Sequence, residues 1–73
     1  MDIKLKVGQR LKELRKNLGL SQEALALKAE VDRTYVTDVE NGRRNVSLEI
    51  LERLIKALGG SFSEFFYSKE FKK

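Results

Sequence analysis

The chain contains no cysteine, no histidine and no proline. Without cysteine there is no disulfide, no thiolate zinc site and no cysteine nucleophile. Without histidine the commonest general base and the commonest transition-metal ligand are missing. The lack of proline lets an apolar fraction of 41% be laid out as uninterrupted helices. Long hydrophobic runs are missing too. The opening stretch MDIKLKVGQRLK holds no apolar segment of the length that a signal peptide or a membrane span requires. No nucleophile–base pair or carboxylate cluster can be assembled, so an enzyme is the poorest reading. The expectation is a cytoplasmic protein without cofactor, metal or membrane partner.

What is present is short and basic. Seventy-three residues allow one domain, 1–73, which buries roughly 60% of the surface its unfolded form exposes. The net charge of +4 is unevenly spread. Residues 1–19 carry six basic and two acidic side chains, whereas residues 20–42 carry two basic and five acidic. A basic balance points weakly to nucleic acid or an anionic surface.

Five glycines punctuate the chain. Gly19, Gly42 and the pair Gly59-Gly60 each follow an apolar-periodic segment, where a left-handed helix end belongs. Ser21, Ser47 and Ser61 come next as helix N-caps, and Asp32 supplies one more. Ser61 and Glu64 have the spacing of a capping box. The spacing predicts an all-α protein with helices near 3–18, 22–29, 33–41, 48–58 and 62–68. Gly8, inside the first of these, is read as a point of close packing. On the first helix Ile3, Val7, Leu11, Leu14 and Leu18 fall within about 80°, leaving Lys4, Lys6, Arg10, Lys12 and Lys16 to a solvated face. On the third, Val36 and Val39 point inward, while Arg33, Thr34, Thr37, Asp38 and Asn41 share an outer arc of about 140°. On the fourth, Leu48, Ile50, Leu51, Leu54, Ile55, Ala57 and Leu58 spread over about 180°, wider than one packed face needs. Phe62, Phe65, Phe66, Tyr67 and Phe71 crowd the C-terminal end. Some of them close the core over the first helix, and the surplus is available to a partner.

Residues 22–41, QEALALKAEVDRTYVTDVEN, carry the specific signal. Two short helices joined by a tight turn, with Leu25, Ala29, Val31, Val36 and Val39 apolar and Ala26 small at the crossing, fit a DNA-binding helix-turn-helix. With its flanks, the segment resembles the lambda-repressor-like, XRE-type helix-turn-helix family across residues 5–66. Through DRTYV and NGRRNVSL it is most similar to the small controller proteins of restriction-modification systems. The resemblance implies a compact five-helix DNA-binding domain. It also implies that Gln22 touches a phosphate and braces the third helix, and that Arg15 and Glu40 form a partly buried ion pair. One position departs from the family: Glu30 stands in the turn where glycine is usual. A left-handed backbone there costs a non-glycine residue roughly 1 kcal/mol.

The expected chemistry follows from reach. Arg33, first in the third helix, can take O6 and N7 of a guanine together. Thr34 and Thr37 can bond to a base or a phosphate, or pack against a thymine methyl. Tyr35 either reaches the DNA backbone or sits half-buried beside Val39. Asp38 either accepts from a cytosine amino group or holds Arg33 in place. Asn41, Arg43, Arg44 and Asn45 would fix register on phosphates. Each of these has a plain alternative as a solvated surface group, Arg33 as an ion-pair partner of Asp32 or Asp38.

One helix-turn-helix reads few base pairs, so the expected operator is palindromic and the expected protein a homodimer. Its half-sites would lie roughly 34 Å apart or a multiple of that. Within helices four and five and the tail, 47–73, Ile50, Leu54, Phe62, Phe65 and Phe66 are the candidate dimer face, with membership of the core as the alternative for each and the favoured reading for Leu54 and Phe65. The expected function is a nucleoid-associated, autoregulatory transcriptional regulator of double-stranded DNA with no small-molecule effector. RNA polymerase enters as a partner only if the protein activates. The alternatives are a DNA-binding antitoxin of a toxin–antitoxin pair and a helical interaction module that does not bind DNA.

Overall fold

Short polar side chains set the start of every helix. Five α-helices follow one another: α1 (Ile3–Asn17), α2 (Gln22–Ala29), α3 (Arg33–Glu40), α4 (Leu48–Ala57) and α5 (Phe62–Phe66). A 3₁₀ turn at Lys69–Phe71 closes the order. The computed structural model describes residues 2–72, and among them there is no strand. Asp2, Ser21, Asp32, Ser47 and Ser61 each accept from a backbone N–H in the first turn of the helix they precede. Such a bond satisfies one of the donors a helix start leaves without a partner. Four of these caps were expected; Asp2 adds a fifth. At Ser61 the box is modified, since its hydroxyl both accepts from the Glu64 N–H and donates to the Glu64 carboxylate.

Four helices end one or two residues earlier than the periodicity suggests, because the residue after each last turn serves as its cap: Leu18, Asn41, Leu58 and Tyr67. Leu18 and Leu58 are C-caps, and the following Gly19 and Gly59 turn left-handed at φ 70° and 79°. At Tyr67 the chain swings to ψ 79° and leaves α5 for the 3₁₀ turn.

The core draws on every helix: Val7 and Leu11, then Leu25, Ala26 and Ala29, Val36 and Val39, Leu51, Leu54 and Ile55, and Phe65. Burying a large side chain such as Leu25 or Phe65 contributes about 1.5–3 kcal/mol each. Phe65 meets Phe66 edge-on at 5.0 Å between ring centres, and Phe66 meets Phe71 at 4.9 Å. This aromatic knot shuts the bundle over α1, whose apolar stripe runs out at exposed Ile3 and Leu18. Gly8 is where α1 touches α3: a Cβ there would collide with the Val39 carbonyl oxygen and lie 2.8 Å from that of Glu40. Glu30 does take the left-handed conformation, at φ 58° and ψ 44°. Its N–H reaches the Leu27 carbonyl and the Val31 N–H reaches that of Ala26, which holds the turn between α2 and α3 despite the strain.

Two members of the expected solvated face on α1 are structural instead. Arg10 donates from Nε to the Phe65 carbonyl at 2.7 Å and from Nη2 to that of Glu64 at 2.9 Å. Lys6 donates to the carbonyl of Glu70 at 2.8 Å. The end of a short helix leaves carbonyl lone pairs without helical partners, and these two cations donate to them, on Glu64 beside the Tyr67 N–H. Lys4, Lys12 and Lys16 stay exposed, as expected.

Candidate nucleic-acid interface

A buried network fixes the orientation of α3. Arg15 sends Nε to Glu40 Oε2 at 2.7 Å and Nη2 to Oε1 at 3.0 Å, while Nη1 donates to the Leu20 carbonyl at 2.7 Å. Both residues are buried, at 8% and 7% exposure, so the planar fork and the carboxylate satisfy each other away from water. Gln22, first in α2, donates from Nε2 to Glu40 Oε1 at 3.0 Å and accepts from the Thr37 hydroxyl at 2.9 Å. The chain of bonds runs from the inside of α1 through the start of α2 to the outer face of α3. The pair inferred from the resemblance is therefore present, and Gln22 braces α3 through Thr37.

A second cluster lies at the far end of α3. Asp38 pairs with Arg44 at 3.2 Å, and the Arg44 guanidinium lies 4.3 Å from the centre of the Tyr35 ring. The Ser47 N–H donates to the Tyr35 hydroxyl at 3.4 Å. Tyr35 is thus half-buried, packed on the core and capped by an arginine. Asp38 does not hold Arg33, as one reading expected. Five residues apart, the two side chains diverge by about 140° around the helix. The loop after α3 instead folds back, with the Arg43 N–H on the Asp38 carbonyl at 2.9 Å, and delivers Arg44 to the carboxylate. That pairing neutralises the one acidic group on the outer face.

Arg33, Thr34, Asn41, Arg43 and Asn45 are exposed. Among the described residues Arg33 makes no ion pair, so its guanidinium donors are free at the start of α3. Thr37 lies between Arg33 and Asn41 on the same face, half-buried by its bond to Gln22.

The candidate dimer face needs correction at two positions. Leu54 and Phe65 are 0% and 1% exposed within the single chain, so they belong to the core and offer nothing to a partner. Ile50 is half-buried against the core. Phe62 and Phe66 each keep 37% of their surface exposed. The residue that sequence reasoning left off this face is Leu48, 77% exposed beside Phe62 in a shallow depression shared with Glu49 and Glu52. The signal for it was the 180° width of the α4 stripe. The half facing inward is core, and Leu48 is the edge left over.

Among the described residues no group of carboxylates could hold a metal ion, and no helix is long and apolar enough to cross a membrane.

Comparison with known proteins gives a consistent result. Residues 11–65 match the family model described as helix-turn-helix. The control protein C.MunI of Mycoplasma sp is 50% identical over 66 residues, covering 89% of this chain and 89% of that protein. The crystal structure of the restriction-modification controller protein C.AhdI from Aeromonas hydrophila superposes with a TM-score of 0.86 at 48% identity, covering 90% of this chain and all of that one. The restriction-modification controller protein C.Esp1396I, solved as a tetramer with its natural 35-base-pair operator, gives a TM-score of 0.88 at 38% identity, covering 96% of this chain and 95% of that one.

Proposed function

The chain belongs to the XRE-type helix-turn-helix family, and from that membership we propose that it is a sequence-specific, double-stranded-DNA-binding transcriptional regulator of the restriction-modification controller kind. It acts as a homodimer on a palindromic operator, one copy of which controls its own gene. The observation that carries the reading is the outer face of α3: an unpaired Arg33 at its start, on a helix whose orientation is locked by the Arg15–Glu40–Gln22–Thr37 network. A reader of base edges needs both a free donor fork and a helix that cannot roll.

In this reading Arg33 takes O6 and N7 of a guanine in the major groove, with Thr34 and Thr37 on the neighbouring pairs. Asn41, Arg43 and Asn45 contact phosphates on one side, and Gln22 at the start of α2 contacts them on the other. The hydroxyl proton of Tyr35 is directed to a phosphate, while Arg44 holds the ring and relieves the repulsion of Asp38. Leu48 and Phe62, flanked by Phe66, meet their symmetry mates across the dimer axis and set the half-site spacing. The operator complex of C.Esp1396I supports this use of the fold. The protein works as a binding module, with no catalytic step.

Selection of random duplexes by the purified protein at two salt concentrations tests the proposal. The expected result is an enriched palindrome that survives the higher salt. Arg33→Ala should then lose about 1–3 kcal/mol and relax the preference at one position in each half-site. Retention that is blind to sequence and collapses with salt would overturn the reading.

A further inference from the structure

Every member of the network behind Thr37 has a fixed hydrogen-bonding sense. The Glu40 carboxylate, held by two bonds from Arg15, can only accept. Gln22 must therefore turn its amide nitrogen towards Glu40, which leaves its carbonyl oxygen towards Thr37. That oxygen also can only accept, so the bond at 2.9 Å is donated by the Thr37 hydroxyl. The other acceptor within reach of that hydroxyl is the Arg33 carbonyl one turn earlier, at 3.2 Å. A threonine hydroxyl has one proton, and both of these neighbours demand it.

We propose that the Arg15–Glu40–Gln22 network makes Thr37 an acceptor-only reader, selecting a base pair that presents an exocyclic amino group to it. With its proton committed inside the protein, Thr37 turns only lone pairs towards DNA. Phosphate oxygens, guanine O6 and N7, adenine N7 and thymine O4 all need a donor, so none of them suits it. The donors in the major groove are the N4 amino group of cytosine and the N6 amino group of adenine. Neighbouring Arg33, which carries only donors, has the opposite preference. Two adjacent positions on one helix face thus read opposite hydrogen-bond polarity, and in Thr37 the polarity is imposed from the core. Thr37 is a second specificity-determining residue beside Arg33, and Gln22 is its positioning residue.

The inference rests on the proposed function, and its test starts from the duplex recovered by the selection described above. If no duplex is enriched, the functional reading has failed; with a duplex in hand, the polarity is tested separately. Each adenine and cytosine of a half-site is replaced in turn by purine or 2-pyrimidinone, which lack the amino group, and guanine and adenine by their 7-deaza forms. At one position, distinct from that of Arg33, removing the amino group should weaken the wild-type protein roughly three- to tenfold, the size of one net hydrogen bond. Thr37→Val should bind the parent duplex correspondingly less well and be indifferent to that deletion, while Thr37→Ser keeps the response. Thermal melting of the free variants verifies that each is folded. Gln22→Met removes the nearer acceptor and leaves the proton only the longer bond to the Arg33 carbonyl at 3.2 Å, against which a DNA acceptor can compete, and should narrow the amino preference. The proposal is overturned if no amino deletion couples to Thr37, or if the coupled group is a keto oxygen or a ring nitrogen. An unchanged preference in Gln22→Met would overturn the role given to Gln22.

Discussion

Replacing Gly8 by alanine sets two effects of opposite sign against each other. Helix propensity alone favours alanine in the middle of α1 by about 1 kcal/mol. The packing opposes it. A Cβ at this position would collide with the Val39 carbonyl and approach that of Glu40 to 2.8 Å, and both obstacles are backbone of α3. Neither atom can swing aside as a side-chain tip does, so the two helices must move apart. A gap of 0.5–1 Å removes about a quarter to a half of the dispersion attraction across it. The side chains that lose contact are among the most buried, Val7 and Leu11 on one helix and Val36 and Val39 on the other. Overpacking of this kind costs about 1–3 kcal/mol, with more expected where backbone is the obstacle. With the upper part of that range, about 2–3 kcal/mol, for an obstacle made of backbone, the net change should be a loss of about 1–2 kcal/mol after the propensity gain. For a domain of this size that lowers Tm by roughly 4–15 °C. Thermal unfolding followed by circular dichroism measures it directly. A Tm that rises, as propensity alone requires, would refute the claim that α1 and α3 are in backbone contact at Gly8.

Three further outcomes are expected. Glu40→Ala should destabilise by about 3–5 kcal/mol because it strands the buried Arg15 charge, whereas the double variant Arg15→Met with Glu40→Leu should recover most of the loss in urea unfolding. Glu30→Gly should relieve the left-handed turn and raise stability by about 0.5–1 kcal/mol, the entropy of glycine offsetting part of the gain; a fall in Tm would contradict the strain assigned to φ 58°. Leu48→Asp should shift the protein to monomer in sedimentation with little change in the melt of the dissociated chain, since Leu48 is 77% exposed. A dimer that persists would place the interface elsewhere.

Local chemistry made the helices legible. Ser21, Asp32, Ser47 and Ser61 each act on N–H groups two or three residues away, so their capping role is written in neighbouring letters of the chain. The outer arc of α3 followed from the same 3.6-residue geometry. The Arg15–Glu40 pair spans 25 residues, and no local rule reaches across that distance. It was available only through resemblance to a family. Arg10 and Lys6 read as ordinary surface cations because their partners, backbone carbonyls, have no letter in a sequence.

The sequence by itself determined the helix order, the capping, the acidic and basic segments and the helix-turn-helix at 22–41, because each depends on residues within a turn or two of one another. Only the tertiary structure decided which apolar residues are surplus: it bore out the core reading for Leu54 and Phe65 and left Leu48 outside, a division that depends on how five helices pack. It also decided the polarity of the reading face, pairing Asp38 with Arg44 and fixing the Thr37 proton on Gln22. A hydrogen bond has a direction only when both partners are in place, and here the partners come from helices far apart in the chain.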